Sequence, residues 1–306
     1  MIRRPPRSTP SNSSAASDVY KRQPIIVKEW MKKYPNIRLI KEEKRRGLAS
    51  ALNTGYSEAK NEIVIKTDCD QLLKRDSIKN IVSNFADSHV GAVSGKQLLI
   101  SNSKSEQGYR SLVDWKRLIE NEVDSIYLLE PFSAYRKDLI EPIDEKSVAD
   151  DAELGIKIRK KGYRVIFDPN ACFYEKIPTS TFKRLKIKQR RAQGHIKLII
   201  SNLNMLFNYR YGKYGLIVFP LNFYMIIIEP WLLLSLLIVL FFVLYTMFGF
   251  LGLSLYVALL SVLVIIYVTN TPSTISGFIE AHLALLIGAI MLVTRGPSYM
   301  WSKVRE

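Results

Sequence analysis

Gly215 to Thr294 is a run of eighty residues without one Lys or Arg, and its only acids are Glu229 and Glu280. A water-soluble domain does not carry such a stretch, so this part of the chain reads as membrane. Candidate spans are Trp231–Phe248, Leu251–Val268 and Ile279–Val293, each close to the roughly 20 residues a crossing needs. A further apolar stretch, Leu216–Ile228, is broken by Pro220 and Asn222 and meets the first span at Glu229-Pro230. It reads as an in-plane helix, a half-inserted one, or the first arm of one long kinked helix. The formal net charge of the chain is +16, and +10 of it falls in residues 176–213, immediately before the apolar run. Positive-inside reasoning places that block in the cytosol and gives Arg295, Lys303 and Arg305 the same side. Three spans cannot satisfy both, which leaves a fourth crossing through Leu216–Ile228 open.

The rest of the charge excludes other classes. Residues 24–175 carry only +2, which argues against a nucleic-acid-binding domain. Two cysteines, Cys69 and Cys172, are too few for a disulfide framework or a Cys-based zinc site, so a reduced, cytosol-facing part is expected. Residues 1–23 are rich in Arg, Pro and Ser with no apolar periodicity and no signal-peptide core. They read as a disordered tail, and the string also resembles the read-through translation of a sequencing adaptor, which implies a missing natural N-terminus.

From Pro24 the pattern becomes α/β. Ile25–Tyr34 predicts a helix, Ile37–Ile40 a short strand, and Leu48–Lys60 a helix with Leu48, Ala51, Leu52, Gly55 and Ala59 on one side. Ile63–Ile65 is an apolar strand ending in Lys66-Thr67-Asp68-Cys69-Asp70. Ser77–Ala86 predicts a helix, Val90–Leu99 one or two strands, Ala149–Lys161 a helix stopped at Gly162, and Tyr163–Phe167 a returning strand. Alternating strands and helices predict a layered α/β domain with a mostly parallel sheet, whose ligands sit beyond the carboxyl ends of the strands. Between Thr181 and Phe207, apolar residues recur at three- and four-residue spacing while Lys183, Arg184, Lys186, Lys188, Arg190, Arg191 and Lys197 fill the other positions. That pattern predicts one or two basic amphipathic helices lying on an anionic leaflet.

Three groups could carry chemistry. Asp68 and Asp70 follow a strand, so alternation points both to one side and Cys69 away. Two hard oxygen ligands there suit Mg²⁺ or Mn²⁺ shared with substrate phosphates, although Asp also favours a plain turn after a strand. Asp150, Asp151 and Glu153 open a helix, where carboxylates cap and complement the dipole. One of them could instead serve as a general base for a hydroxyl acceptor. Gln189-Arg190-Arg191-Ala192-Gln193-Gly194 lies in the basic helix, as surface charge toward lipid or as an inward guanidinium offering bidentate bonds to a diphosphate.

Taken in order, Arg46–Gly55, Glu62–Asp70, Asp150-Asp151-x-Glu153-Leu154 and Lys161–Arg164 resemble a membrane-anchored family 2 glycosyltransferase over roughly residues 24–210. The resemblance implies a GT-A fold, a nucleotide-sugar donor (a UDP- or GDP-sugar), Mg²⁺ or Mn²⁺, and inversion at the anomeric carbon. It implies that Asp68 and Asp70 bind donor and metal and that Asp151 is the catalytic base. It further implies that Arg190 is the arginine of a Q-x-x-R-W motif and meets the donor diphosphate, although the glutamine position of that motif falls on Ile187 unless Gln189 takes over. Arg191 stands where the synthases have Trp, Glu130 stands where glycine is expected, and the opening strand of the fold is absent. The expected organisation is a tail at 1–23, a GT-A domain at 24–180, interfacial helices at 181–213 and a transmembrane region at 214–306. The expected activity is inverting transfer to a lipid-linked or glycan acceptor, with membrane lipids as partners and nucleic acid excluded. The expected location is a prokaryotic plasma membrane with the catalytic domain cytoplasmic. A processive polysaccharide synthase, or a non-catalytic membrane protein with a nucleotide-binding domain, would fit the same features.

Overall fold

The computed structural model describes residues 14–42, 46–100, 104–178, 180–269, 271 and 273–296. Residues 1–13, Lys303 and Arg305 lie outside these. The chain divides into two compact units, Met1–Arg45 and Arg46–Glu306.

In the first unit, helix α1 runs Ser14–Lys33 with Pro24 inside it. This helix runs across the boundary expected at residue 23. Ala15, Ala16, Lys21, Arg22 and Gln23 are good helix formers, and the helix tolerates Pro24 at the loss of one backbone bond. The strand expected at Ile37–Ile40 does not form. Four residues of extended propensity become a strand only where a ladder takes their N–H and C=O groups, and the sheet of this protein does not include them.

The second unit holds one five-stranded sheet among the described residues, β1 (Ile63–Lys66), β2 (Leu72–Leu73), β3 (Val90–Leu99), β4 (Ser133–Arg136) and β5 (Arg164–Glu175). Their order is β1-β4-β3-β5-β2. Only β3 and β5 pair in parallel; β1–β4, β3–β4 and β2–β5 are antiparallel. The expected mostly parallel sheet is thus corrected to a mixed one. β1, β3 and β5 do run the same way, as alternation with helices required, but β4 is slotted between β1 and β3 in the opposite direction. Helices α2 (Leu48–Glu58), α3 (Ser77–Ser83), α4 (Lys104–Val123) and α5 (Asp150–Lys160) complete the domain. Strand alternation divides the core. Ala92, Tyr135, Val165 and Phe167 pack on one face with Ala49, Tyr56, Leu154 and Ile158. Val93, Ala134, Ile166 and Phe173 pack on the other with Ile81 and Phe85. Each fully buried Val, Leu, Ile or Phe among them contributes about 1.5–3 kcal/mol, and together they hold the ends of β1 and α5 in register.

Helix α6 (Thr181–Ile200) follows, then three helices long and apolar enough to cross a membrane: α7 (Tyr214–Phe248), α8 (Phe250–Thr269) and α9 (Ser273–Arg295). Of the readings for Leu216–Ile228, the first arm of one long helix is the one found, since α7 is continuous over 35 residues. α6 is not simply a charged face on lipid. Arg184 is 3% exposed and bonded to Ser105 and Glu280, because α6 packs against α4 and α9. A Cβ on Gly194 would lie 3.0 Å from the backbone of Val148, so this glycine seats α6 on the residues leading into α5.

Candidate active site

β1 ends and α5 begins at the same place. Lys66, the last residue of β1, is buried and extends its Nζ to Asp151 Oδ1 at 2.5 Å and Asp150 Oδ2 at 3.3 Å. Both carboxylates stand in the first turn of α5, where the helix N-terminus favours negative charge. Asp68 follows in the turn after β1, half-buried. Its backbone N–H donates to Gln71 Oε1 at 3.1 Å, and its carboxylate is near enough to act on Asp151. Burial, then Asp150 and Asp68, push the Asp151 carboxyl above the ordinary carboxylate range, against the pull of Lys66. Burial alone would lower Lys66, but Asp151 and Asp150 outweigh it and hold the ammonium above its usual value.

Asp70 is exposed and faces a second acidic neighbourhood. Glu175, at the end of β5, is raised by burial and by Glu130 and Asp70, opposed by Arg191 and Arg110. Gln97 Nε2 donates to Glu175 Oε2 at 2.6 Å. Glu130 stands beside it, 4% exposed, accepting from Arg117 at 2.6 Å and Arg110 at 2.8 Å. The residue found where glycine was expected is thus neutralised by two arginines of α4. Burial raises Glu130, but Arg117 and Arg110 outweigh it and leave its carboxyl below the usual range.

The structure therefore brings Asp68, Asp70 and Asp151 to one strand end. Gln189 and Arg190 are half-buried on α6. Arg191, the next residue, is the guanidinium whose charge reaches both Glu130 and Glu175. Sequence reasoning missed Lys66, Glu175 and the Arg110–Arg117 pair. The period of two that puts Asp68 and Asp70 on one side puts Lys66 there too, so the signal for Lys66 was present. Glu175 and the arginines had no local signal, because distant elements bring them together. Among the described residues no group of three or more His, Cys, Asp and Glu is placed to hold a metal ion.

Residues 21–141 match the family model described as Glycosyl transferase family 2. Among curated proteins, a probable glycosyltransferase, YdaM, of Bacillus subtilis (strain 168) is 25% identical over 205 residues, covering 60% of this chain and 47% of the relative. Poly-beta-1,6-N-acetyl-D-glucosamine synthase of Staphylococcus aureus (strain COL) is 25% identical over 171 residues, covering 52% of this chain and 41% of the relative. The chain thus matches less than half the length of these relatives. Among solved structures, the mannosyltransferase PcManGT from Pyrobaculum calidifontis, in complex with GDP-Man and Mn²⁺, superposes with a TM-score of 0.66 at 23% identity, covering 89% of this chain and 74% of that one. The α/β domain has a GT-A fold followed by long apolar helices, and the family match supports a glycosyltransferase.

Proposed function

We propose that the protein transfers a sugar, with inversion, from a nucleotide-sugar donor to a lipid-linked or glycan acceptor at the cytosolic face of a prokaryotic plasma membrane. The observation that carries this reading is the meeting of β1 and α5, where Lys66 ties the two elements together through Asp151 and Asp150 and the Asp68 charge acts on Asp151. Asp151, with its carboxyl held high, takes the proton of the acceptor hydroxyl as it attacks the anomeric carbon from the face opposite the diphosphate. Arg190, with Gln189, meets the departing diphosphate, and alignment with electrostatics supplies most of the rate.

A divalent cation fits this site. Lys66 is already engaged by Asp151 and Asp150, and Asp68 and Asp70 add two carboxylates in the turn after the same strand, a negative charge that a cation would offset as a diphosphate enters. Two carboxylates, Asp68 and Asp70, are the usual protein share for Mg²⁺ or Mn²⁺, with phosphates and water completing the shell. Such an ion supplies Lewis-acid stabilisation of the leaving group.

Panels of UDP- and GDP-sugars offered to the purified protein with lipid extracts are expected to yield one radiolabelled product that requires Mg²⁺ or Mn²⁺. Asp70→Asn is expected to lose metal-dependent donor binding by calorimetry; donor binding unaffected by both chelator and Asp70→Asn contradicts the assignment. Product length then separates single addition from processive synthesis.

Lys66→Met supplies a pH test. Lys66 pulls the Asp151 carboxyl down, so its removal raises that carboxyl further. The acid limb of kcat/KM, where Asp151 must be ionised, is expected to move to higher pH, with Lys66→Arg restoring it. A uniform loss across pH with an unmoved limb would count against the coupling.

A further inference from the structure

Helix α7 starts inside the catalytic domain, since Tyr214, Val218 and Phe219 are buried with Ile156, Leu198 and Ile199. Its apolar arm, Glu229–Phe248, has 20 residues, and α8 has 20. At 1.5 Å per residue each is about 30 Å, one hydrocarbon thickness. Gly249, at φ 56°, turns the chain between them. The rings of Phe241 and Tyr256, 5.4 Å apart, fix the register of this hairpin. Twelve residues back from Phe241 is Glu229 and twelve on from Tyr256 is Val268, so both lie at the open mouth.

α9 sets out from that mouth. A third crossing would carry residue 282 roughly 13 Å into the bilayer, nine residues from Ser273. Instead His282 Nε2 lies 3.5 Å from Glu229 Oε1, still at the mouth. The rest of α9 follows the catalytic side. A Cβ on Gly108 of α4 would come 2.5 Å from Ser273, and one on Gly277 would come 2.5 Å from Ser105. Glu280, fully buried, meets Arg184 at 3.3 Å and Lys188 at 3.2 Å. A Cβ on Gly288 would lie 2.9 Å from that of Ala192. The pairs 280–184 and 288–192 advance together, so α9 and α6 lie side by side in the same direction. Taking α9 across the bilayer would drag Lys183, Lys186, Arg190 and Arg191 to hydrocarbon depth, where charges are costly.

We infer that α9 does not cross: it lies in the plane of the membrane at the mouth of a two-span hairpin, its exposed face on lipid and Arg295 on the side of the catalytic domain. That exposed face is Ile275, Leu283, Ile290 and Val293, opposite Gly277, Glu280, Ala284 and Gly288. The neighbouring α4 is built inside out in the same sense. It buries Glu106, Arg110, Arg117 and Glu120 and exposes Leu112, Trp115, Leu118 and Ile119, so the hairpin's lipid-facing surface continues onto both helices. An even number of crossings puts the basic block of 176–213 and Arg295 on one side without a fourth span.

Single-cysteine versions of the full chain, probed with a membrane-impermeant maleimide in sealed vesicles of both orientations, test the inference. The exposed Cys69, kept alone by Cys172→Ser, reports the catalytic side; Phe250→Cys reports the hairpin tip and Thr294→Cys the end of α9, both in the cysteine-free chain. Thr294→Cys is expected to react from the Cys69 side and Phe250→Cys from the opposite one. Reaction of Thr294→Cys from the Phe250 side overturns the inference. Spin labels on the Phe250→Cys/Thr294→Cys pair in bilayers decide the matter if position 294 reacts from neither side. A separation of about 30 Å or more, one hydrocarbon thickness, is expected, and less than half of that overturns it.

Discussion

Asp151→Asn is expected to lower sugar transfer by about 10²–10⁴-fold, the usual contribution of a positioned general base, while metal-dependent donor binding stays near that of the parent. Asparagine keeps the size of the side chain and cannot accept a proton. The fold should tolerate it, because Lys66 retains Asp150 at 3.3 Å and the first turn of α5 keeps its other acids. Asp150→Asn is the matched control: it also removes a carboxylate from Lys66, the one at 3.3 Å, and leaves Asp151 in place. Transfer by Asp151→Asn within a few-fold of the parent, with Asp150→Asn inactive, would move the role of base to Asp150. Full activity in both would remove this turn of α5 from the chemistry.

What the sequence made legible follows from how local each signal is. The long apolar C-terminal helices were plain from composition, and α2, β1, α3, β3 and α5 from periodicity, because each pattern lies within one element. β4 was not legible: Ser133–Arg136 is four residues long, and its reversed direction depends on which strands flank it. α4 was passed over although its apolar residues recur at helical spacing; the inversion, apolar residues outward and charges inward, hid only which face is buried. The same inversion hid half of α6, where Arg184 and Lys188 read as surface charge until Glu280 and Glu106 were found opposite them. In the site, Asp68, Asp70 and Asp151 were readable because strand ends and helix starts announce themselves. Lys66 shared their alternation and was passed over because it stood at the end of an apolar run.

Glu130→Ala is expected to destabilise the α/β domain by about 3–5 kcal/mol, the range for breaking a buried ion pair from one side. Arg117 is 0% exposed, and without Glu130 its nearest remaining carboxylate is Asp114 at 3.6 Å. Arg110 would keep Glu106 at 3.2 Å, whose carboxyl, raised by burial but more strongly lowered by Arg110 and Lys188, is held down to about 2. The loss would therefore reach further than one residue, because Glu106 also holds Lys188 at 2.7 Å and Lys188 holds Glu280 of α9. A single chain of charges links the sheet end to α6 and α9, and Glu130 is its inner anchor. Thermal melting in detergent should show the drop, and the double change Glu130→Leu/Arg117→Met should recover most of it, since apolar replacement of a whole buried pair is often neutral or stabilising. Glu130→Ala melting like the parent would mean that water reaches Arg117 and that the pair contributes little. A glycine at position 130 would leave both arginines facing a hole, so Glu130, Arg110 and Arg117 are intelligible only as a set.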